Sequence, residues 1–294
     1  MSLNQTLPTT PTSTQSKPAS PMTAFRLSNS NYYSQEANQH FQSASMFKGF
    51  QSCEARAMAQ LNGWKPAETE SKALLVGNYV HSYFESPEAH RAYIEDNKKQ
   101  MISSQGKTKG KLKSDYRDAD RMIAALNLDK RFQQSYMAGQ KEIILTGKIG
   151  GVPWMGKLDS YIPGQSFFMD LKTVEDMHKR FWIADPVKGH WGSFIEDRNY
   201  PLQMAVYQEL IEQKYHIHAE PIIVAVTKQN PPDKAFVAIP QEYLDTAMSQ
   251  LLEVQDHIEA VRSGRIPPKR CEQCDYCRAT KHLGQIISMN ELIE

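Results

Sequence analysis

Asp159, Asp170 and Lys172 are the residues of this sequence whose types and spacing point most directly to chemistry; they lie in GKLDSYIPGQSFFMDLKT, residues 156 to 173. The run Phe167-Phe168-Met169-Asp170-Leu171-Lys172 is apolar enough for a buried strand, yet an acid or an ammonium there is costly to desolvate. Strand alternation sets Phe168, Asp170 and Lys172 on one face and Phe167, Met169 and Leu171 on the other. Asp159 stands on the preceding strand, before a Pro163-Gly164 turn that folds the chain back. The two carboxylates can therefore converge on one divalent cation. Hard oxygen ligands suit Mg²⁺ or Mn²⁺, and such an ion lowers the pKa of a bound water and polarises a phosphate oxygen. Lys172, two residues beyond the second acid, is placed to orient the hydroxide and neutralise a pentavalent phosphate. An isolated D-x-K would more simply be a surface ion pair on an edge strand, so the surroundings carry the argument.

The four cysteines form a second group with metal-binding chemistry. Cys271-x-x-Cys274-x-x-Cys277 is tight enough for three thiolates to face one centre, while Cys53 lies far upstream in SASMFKGFQSCEARA. Four cysteines so placed are too few and too clustered for a secreted disulfide scaffold; a zinc site with four cysteine ligands is one reading and free thiols are another. Gln203 and Tyr207 in NYPLQMAVYQE sit four apart on one helical face. Glu142, in QKEIIL, is a candidate additional acid near the metals or a solvent-facing residue. Gly151 to Lys157 matches the first seven places of a phosphate-binding loop, but Leu158 replaces the Ser/Thr that would hold Mg²⁺, and the lysine precedes a strand acid where a helix is required. No ATPase follows from it.

The elements that must position these residues can be read from periodicity. Residues 1 to 22 are rich in Pro, Ser, Thr and Gln and are expected to be a disordered tail. A helix is predicted over 43–61 and another over 74–85. Lys98 to Lys113 holds six lysines and no acid, and reads as a mobile loop or helix edge. Extended segments are predicted over 140–149, 152–162 and 166–173, then a helix from Pro201 to Lys214, strands over 219–228 and 234–239, and a long helix over 241–262. This order gives an α/β fold with a mixed central sheet flanked by helices. It divides into a helical part, 23–135, an α/β core, 136–262, and a Cys-rich segment, 263–294, packed on the core. The chain has 294 residues, 40% hydrophobic and 23% charged, with a net charge of +1. A nucleic-acid partner must then be met by a local basic groove, because the field of the whole molecule is weak. No apolar run reaches transmembrane length and no signal peptide is evident; a cytoplasmic protein is expected.

Taken together, Gly156-Lys157-Leu158-Asp159 before the turn and Asp170-Leu171-Lys172-Thr173 after it resemble the PD-(D/E)xK nuclease superfamily, with leucine in place of the family's proline. Gly77-Asn78-Tyr79-Val80-His81 is similar to the G-x-x-x-H element with which the RecB-like branch supplies a histidine to the metal, and Gln203 and Tyr207 match its Q-x-x-x-Y element, which contacts DNA and braces the site. Lys107-Thr108-Lys109-Gly110-Lys111 resembles a lysine-rich stretch of the phage and prophage relatives of the RecE catalytic domain. The resemblance implies a restriction-endonuclease-like core, a metal held by His81, Asp159, Asp170 and the Leu171 backbone carbonyl, and DNA contacts from Lys107, Lys109, Lys111, Gln203 and Tyr207. One N-terminal and three C-terminal cysteines resemble the iron-sulfur branch of these nucleases, implying a 4Fe-4S cluster on Cys53, Cys271, Cys274 and Cys277; the last gap is shorter than that branch often has.

The expected activity is a Mg²⁺- or Mn²⁺-dependent DNA exonuclease acting on double-stranded ends, and the RecE resemblance implies that it degrades them 5′ to 3′. By the RecE resemblance it leaves a 3′ strand for a single-strand annealing protein of the RecT type, and assembles as a homo-oligomer in a phage- or prophage-bearing bacterial cell. Two alternatives stand beside it: an iron-sulfur single-strand nuclease of the CRISPR-adaptation type, and a non-catalytic DNA-binding module. Retention of Asp159, Asp170 and Lys172 argues against the last, since buried charges are hard to maintain without use.

Overall fold

A computed structural model of the protein describes residues 25–66, 71–184, 188–284, 286 and 288–292. The expected tail, 1–22, lies outside these residues. The N-terminal part is helical: α1 (Gln35–His40), α2 (Ala44–Ser52), α3 (Glu54–Leu61), α4 (Lys72–Glu85), α5 (Pro87–Met101), α6 (Ser114–Asn127) and α7 (Lys130–Gln134). Serines define several of the starts: Ser43, Ser71 and Ser86 cap α2, α4 and α5 by accepting a backbone N–H into the side-chain oxygen, which satisfies one of the orphan donors of each first turn. Strands β1 (Ile143–Ile149) and β2 (Val152–Leu158) form an antiparallel hairpin. Then come β3 (Ser160–Tyr161), β4 (Phe167–Val174), β5 (Phe181–Ile183), β6 (His190–Gly192), α8 (Phe194–Asp197), α9 (Tyr200–Tyr215), β7 (Glu220–Thr227), β8 (Lys234–Ala238), α10 (Gln241–Arg262) and α11 (Asp275–Ala279).

The central sheet runs β3-β4-β7-β8. Its β4 and β7 are parallel, joined by α9 as a crossover, and the outer pairs are antiparallel. Parallel strands need such a crossover, and the helix it carries covers one face of the sheet. Phe168 and Val174 of β4 enter a core with Leu202, Val206, Leu210 and the α10 residues Leu244 and Leu251. Met169 and Leu171 enter a second core with Val76, Val80, Phe84 and the α6 residues Met122 and Leu126. The alternation expected for β4 is thus present, with helices on both sides of the sheet. No helix among the described residues is long and apolar enough to cross a membrane.

Two predicted elements are broken where they serve the sites. The helix expected over 43–61 divides at Cys53, which adopts an extended conformation (φ −166°, ψ 107°) and ends α2 while starting α3. Periodicity could not reveal this, because the apolar pattern continues across the break. The strand expected over 152–162 divides at Asp159, between β2 of the hairpin and β3 of the central sheet. The lysine-rich stretch is also more organised than expected. Lys98 and Lys99 belong to the last turn of α5, and the following loop closes on itself through Ser103 N–H to Lys111 O (2.9 Å) and Lys113 N–H to Met101 O (2.9 Å).

Candidate active site and cysteine centre

Asp170 lies in the middle of β4, opposite Ile223 of β7, and is 1% exposed. The strand leaves Asp170 and Lys172 on the side of α9, where their side chains form an ion pair. Asp159, at the break between β2 and β3, accepts the Leu171 N–H on Oδ2 at 2.8 Å. The carboxylates of two strands are therefore fixed to one another through main chain. On the opposite flank, His81 projects from α4, its Nδ1 3.4 Å from Asp159 Oδ2. Gly77, one turn earlier, faces β4: a Cβ there would stand at ordinary contact distance, 3.4 Å, from Thr173 Oγ1.

Helix α9 supplies the third side. Gln203 Nε2 donates to Asp170 Oδ1 (3.3 Å) and lies 3.0 Å from the Tyr207 hydroxyl, while the Tyr207 ring packs 6.3 Å from that of Phe168. The four-residue spacing read from the sequence is the spacing of one helix face, and that face meets Asp170. Gly156 of β2 makes room for it, since a Cβ at this position would lie 2.8 Å from two Tyr207 ring carbons. Glu142 sits at the mouth of the β1–β2 hairpin with φ 56° and pairs with Lys157.

The electrostatics are those of a concentrated negative site in which the Lys172 ammonium pairs with Asp170. Burial, and then the Asp170 carboxylate, push the Asp159 pKa well above its ordinary value. Burial acts to lower the Lys172 pKa, but attraction from Asp170 and Asp159 outweighs it and raises the net value. Burial, and then the Lys172 charge, lower the His81 pKa, keeping the imidazole neutral, the form that ligates metals. Asp170 Oδ2 is buried with no donor in hydrogen-bonding geometry, although the Lys172 ammonium stands beside it. Two carboxylates, a neutral imidazole and an under-satisfied buried oxygen fit a hard divalent cation.

Sequence reasoning missed two lysines and two tyrosines around this centre. Lys48 of α2 donates to the Arg198 and Asn199 carbonyls (3.2 and 3.4 Å), and burial lowers its pKa to about 8. Lys141 donates to Gly139 O (2.9 Å) and Ser160 Oγ (3.3 Å), and burial likewise lowers its pKa to about 8 while Asp159 opposes the shift. Tyr200 presents its ring to Lys172 Nζ at 4.9 Å, and Tyr136 accepts Lys141 on its carbonyl. No motif spacing announces them; they reach the site through tertiary packing. Conversely, Lys107, Lys109 and Lys111 are exposed on the loop after α5, and among the described residues no hydrogen bond or ion pair links them to the carboxylates.

The second expected centre is assembled as well. Cys53 and Cys277 are buried, with Cys271 and Cys274 beside them, and all four sulfurs lie within 4.8 Å of one another. Cys53 Sγ is 3.6 Å from Cys277 Sγ and 3.8 Å from Cys274 Sγ. Backbone N–H groups of Cys274 and Cys277 point at the sulfurs of Cys271 and Cys274 (3.3 and 3.4 Å). Hydrogen bonds from the backbone of Gln273 and Cys274 lower the Cys271 pKa to about 6, favouring its thiolate, while burial raises that of Cys274 to about 12. The surrounding segment is docked by polar contacts: Glu54 Oε2 accepts Lys269 N–H at 2.7 Å, and Tyr276 meets Trp64 edge to face at 5.1 Å.

Comparison with known proteins gives the same core. Residues 43–280 match the family described as PDDEXK-like domain of unknown function (DUF3799). The crystal structure of a protein described as "Putative exonuclease" from Eubacterium rectale superposes with a TM-score of 0.83 at 35% identity, covering 91% of this chain and 98% of that one. A second solved structure, SSO0001, aligns at a TM-score of 0.30 and 14% identity over 79% of this chain and 91% of that one, too distant to carry an argument. No curated protein matches.

Proposed function

Because the chain belongs to the PDDEXK-like family DUF3799, a nuclease family by its core, we propose that it is a metal-dependent DNA exonuclease acting on double-stranded ends. The observation that carries this reading is the convergence of Asp159, Asp170, Lys172 and His81 at one buried point. The description of the Eubacterium rectale protein as "Putative exonuclease" supports the choice among nucleases.

His81, Asp159, Asp170 and the Leu171 carbonyl would hold Mg²⁺ or Mn²⁺, which when bound supplies Lewis acidity and a water of lowered pKa. Lys172 remains protonated because Asp170 and Asp159 hold its charge; it donates to the non-bridging phosphate oxygens as negative charge accumulates on them. Gln203 fixes the Asp170 carboxylate and Tyr207 fixes Gln203, so α9 keeps the acid in one orientation. Lys107, Lys109 and Lys111 provide phosphate contacts outside the centre. Degradation runs 5′ to 3′ and leaves a 3′ strand for an annealing protein of the RecT type.

At the cysteine centre our reading is a single ion in place of the expected 4Fe-4S cluster, and the sulfur spacing supports it. A tetrahedral Zn²⁺ with Zn–S of about 2.3 Å has sulfurs about 3.8 Å apart, close to the spacing of Cys53 from Cys277 and from Cys274. A 4Fe-4S cluster binds each thiolate to a different iron and needs a wider set.

End-labelled linear duplex and closed circular duplex, digested side by side in Mg²⁺, test the activity. Progressive shortening of the linear DNA with an intact circle is expected. Cleavage of the circle, or no cleavage of either with Mg²⁺ or Mn²⁺, would overturn the exonuclease reading.

A further inference from the structure

The hairpin of β5 and β6 places Trp182 directly opposite Trp191. Their indoles meet edge to face with centroids 5.5 Å apart, yet remain 58% and 57% exposed. Two neighbouring tryptophans on a hairpin normally stabilise it by covering one another; here each keeps more than half its surface open to solvent. The opposite side of the hairpin is the one that packs. Phe181 joins the main core, His190 Nε2 pairs with Glu196 Oε1 of α8 at 2.9 Å, and a Cβ at Gly192 would lie 2.7 Å from Glu196 Oε2. The indoles are thus carried outward on a ribbon that is itself anchored. Gly189 serves the same end, because a Cβ there would stand 2.5 Å from the Trp182 ring.

A cation accompanies the pair. The Arg180 guanidinium lies 5.1 Å over the Trp191 ring, and among the described residues no carboxylate pairs with it. The hairpin is also linked to the active site through packed side chains. Helix α8, on which the hairpin rests, places Phe194 with its ring 6.3 Å from that of Tyr200, and Tyr200 holds Lys172. Open π-faces with an adjacent guanidinium suit unpaired nucleobases and their phosphates, since base stacking on aromatics tolerates any sequence. The bases of an intact duplex are already stacked and leave no face free.

Resting on the nuclease reading, we propose that Trp182, Trp191 and Arg180 form a stacking platform for unpaired nucleotides of a DNA strand at the active site. The probe is a fluorescein-labelled dT12, with a 12-nucleotide abasic strand and a blunt duplex beside it, each titrated by anisotropy without added Mg²⁺ or Mn²⁺. Trp182→Ala/Trp191→Ala should weaken dT12 binding by roughly tenfold or more, erase the preference for dT12 over the abasic strand, and leave blunt-duplex binding within about twofold. Trp182→Phe/Trp191→Phe should restore most of the dT12 affinity, which a collapsed hairpin would not do. Unchanged dT12 binding in the alanine variant of a protein that cuts DNA would overturn the platform alone. Equal losses on dT12 and duplex would also overturn it, assigning the hairpin to a general surface. A wild type that neither binds nor cuts DNA would overturn the nuclease reading, and the platform with it.

Discussion

Asp159 shows at the residue scale how function and stability oppose each other. Its carboxyl pKa is raised above the ordinary 3.8 by burial and by Asp170, so between 3.8 and the folded value the native state binds more protons than the unfolded chain. Stability from this group is fully present below 3.8 and is lost as pH rises through the folded value. Without added Mg²⁺ or Mn²⁺, Asp159→Asn should therefore raise the melting temperature at neutral pH and flatten its decline with pH, while abolishing cleavage. Thermal melts from pH 4 to 8 check this; a neutral-pH Tm equal to or below that of the wild type would refute it. At this scale the site was largely legible. Asp170 and Lys172 follow from strand alternation, and Gln203 and Tyr207 from helical spacing, because local geometry relates each pair. Lys48 and Tyr200 were not, because α2 and α9 meet beside Lys172 only after folding.

Elements position these residues through a few close approaches, and Gly156 makes the one between β2 and α9. Gly156→Ala should force the Tyr207 ring aside, since its Cβ would lie 2.8 Å from the ring carbons; overpacking of this kind costs about 1–3 kcal/mol. The expected result is a Tm lower by roughly 2–10 °C together with reduced turnover, because Gln203 and Asp170 move with Tyr207. Unaltered Tm and turnover would show that the α9–β2 contact does not govern the site. Element types and many bounds could be read from the sequence: the long helix predicted over 241–262 is α10. Breaks could not. Cys53 interrupts an apolar helical pattern because its sulfur turns to a partner more than two hundred residues away, and Asp159 interrupts a strand where the chain passes between sheets. The β5–β6 hairpin was also unread, its strands being too short for a periodic signal.

Over the whole molecule, the cysteine centre joins the N-terminal helices to the C-terminal segment. The same α2 that ends at Cys53 carries Lys48, which lies near Lys172, so the two candidate sites share one helix. A metal bound there would supply docking energy that a segment poor in apolar residues lacks. Cys53→Ser should lose bound metal as completely as Cys274→Ser and should melt at a lower temperature. Metal analysis of anaerobically purified wild type is expected to give one zinc per chain and no colour. Brown protein containing iron and sulfide would establish the expected 4Fe-4S cluster in place of zinc, and metal-free protein would leave ordinary thiols.

The central claim is that the charge constellation on β4 performs phosphodiester hydrolysis, and Lys172 is its most exacting member, because it is held cationic yet ligates nothing. The direct measurement is the rate of nucleotide release from linear duplex DNA in Mg²⁺ by wild type and by Lys172→Ala, with folding matched by circular dichroism. The rate should fall by about 10² to 10³, as for loss of a group that stabilises charge in the transition state. Equal rates from the two folded proteins would contradict the account.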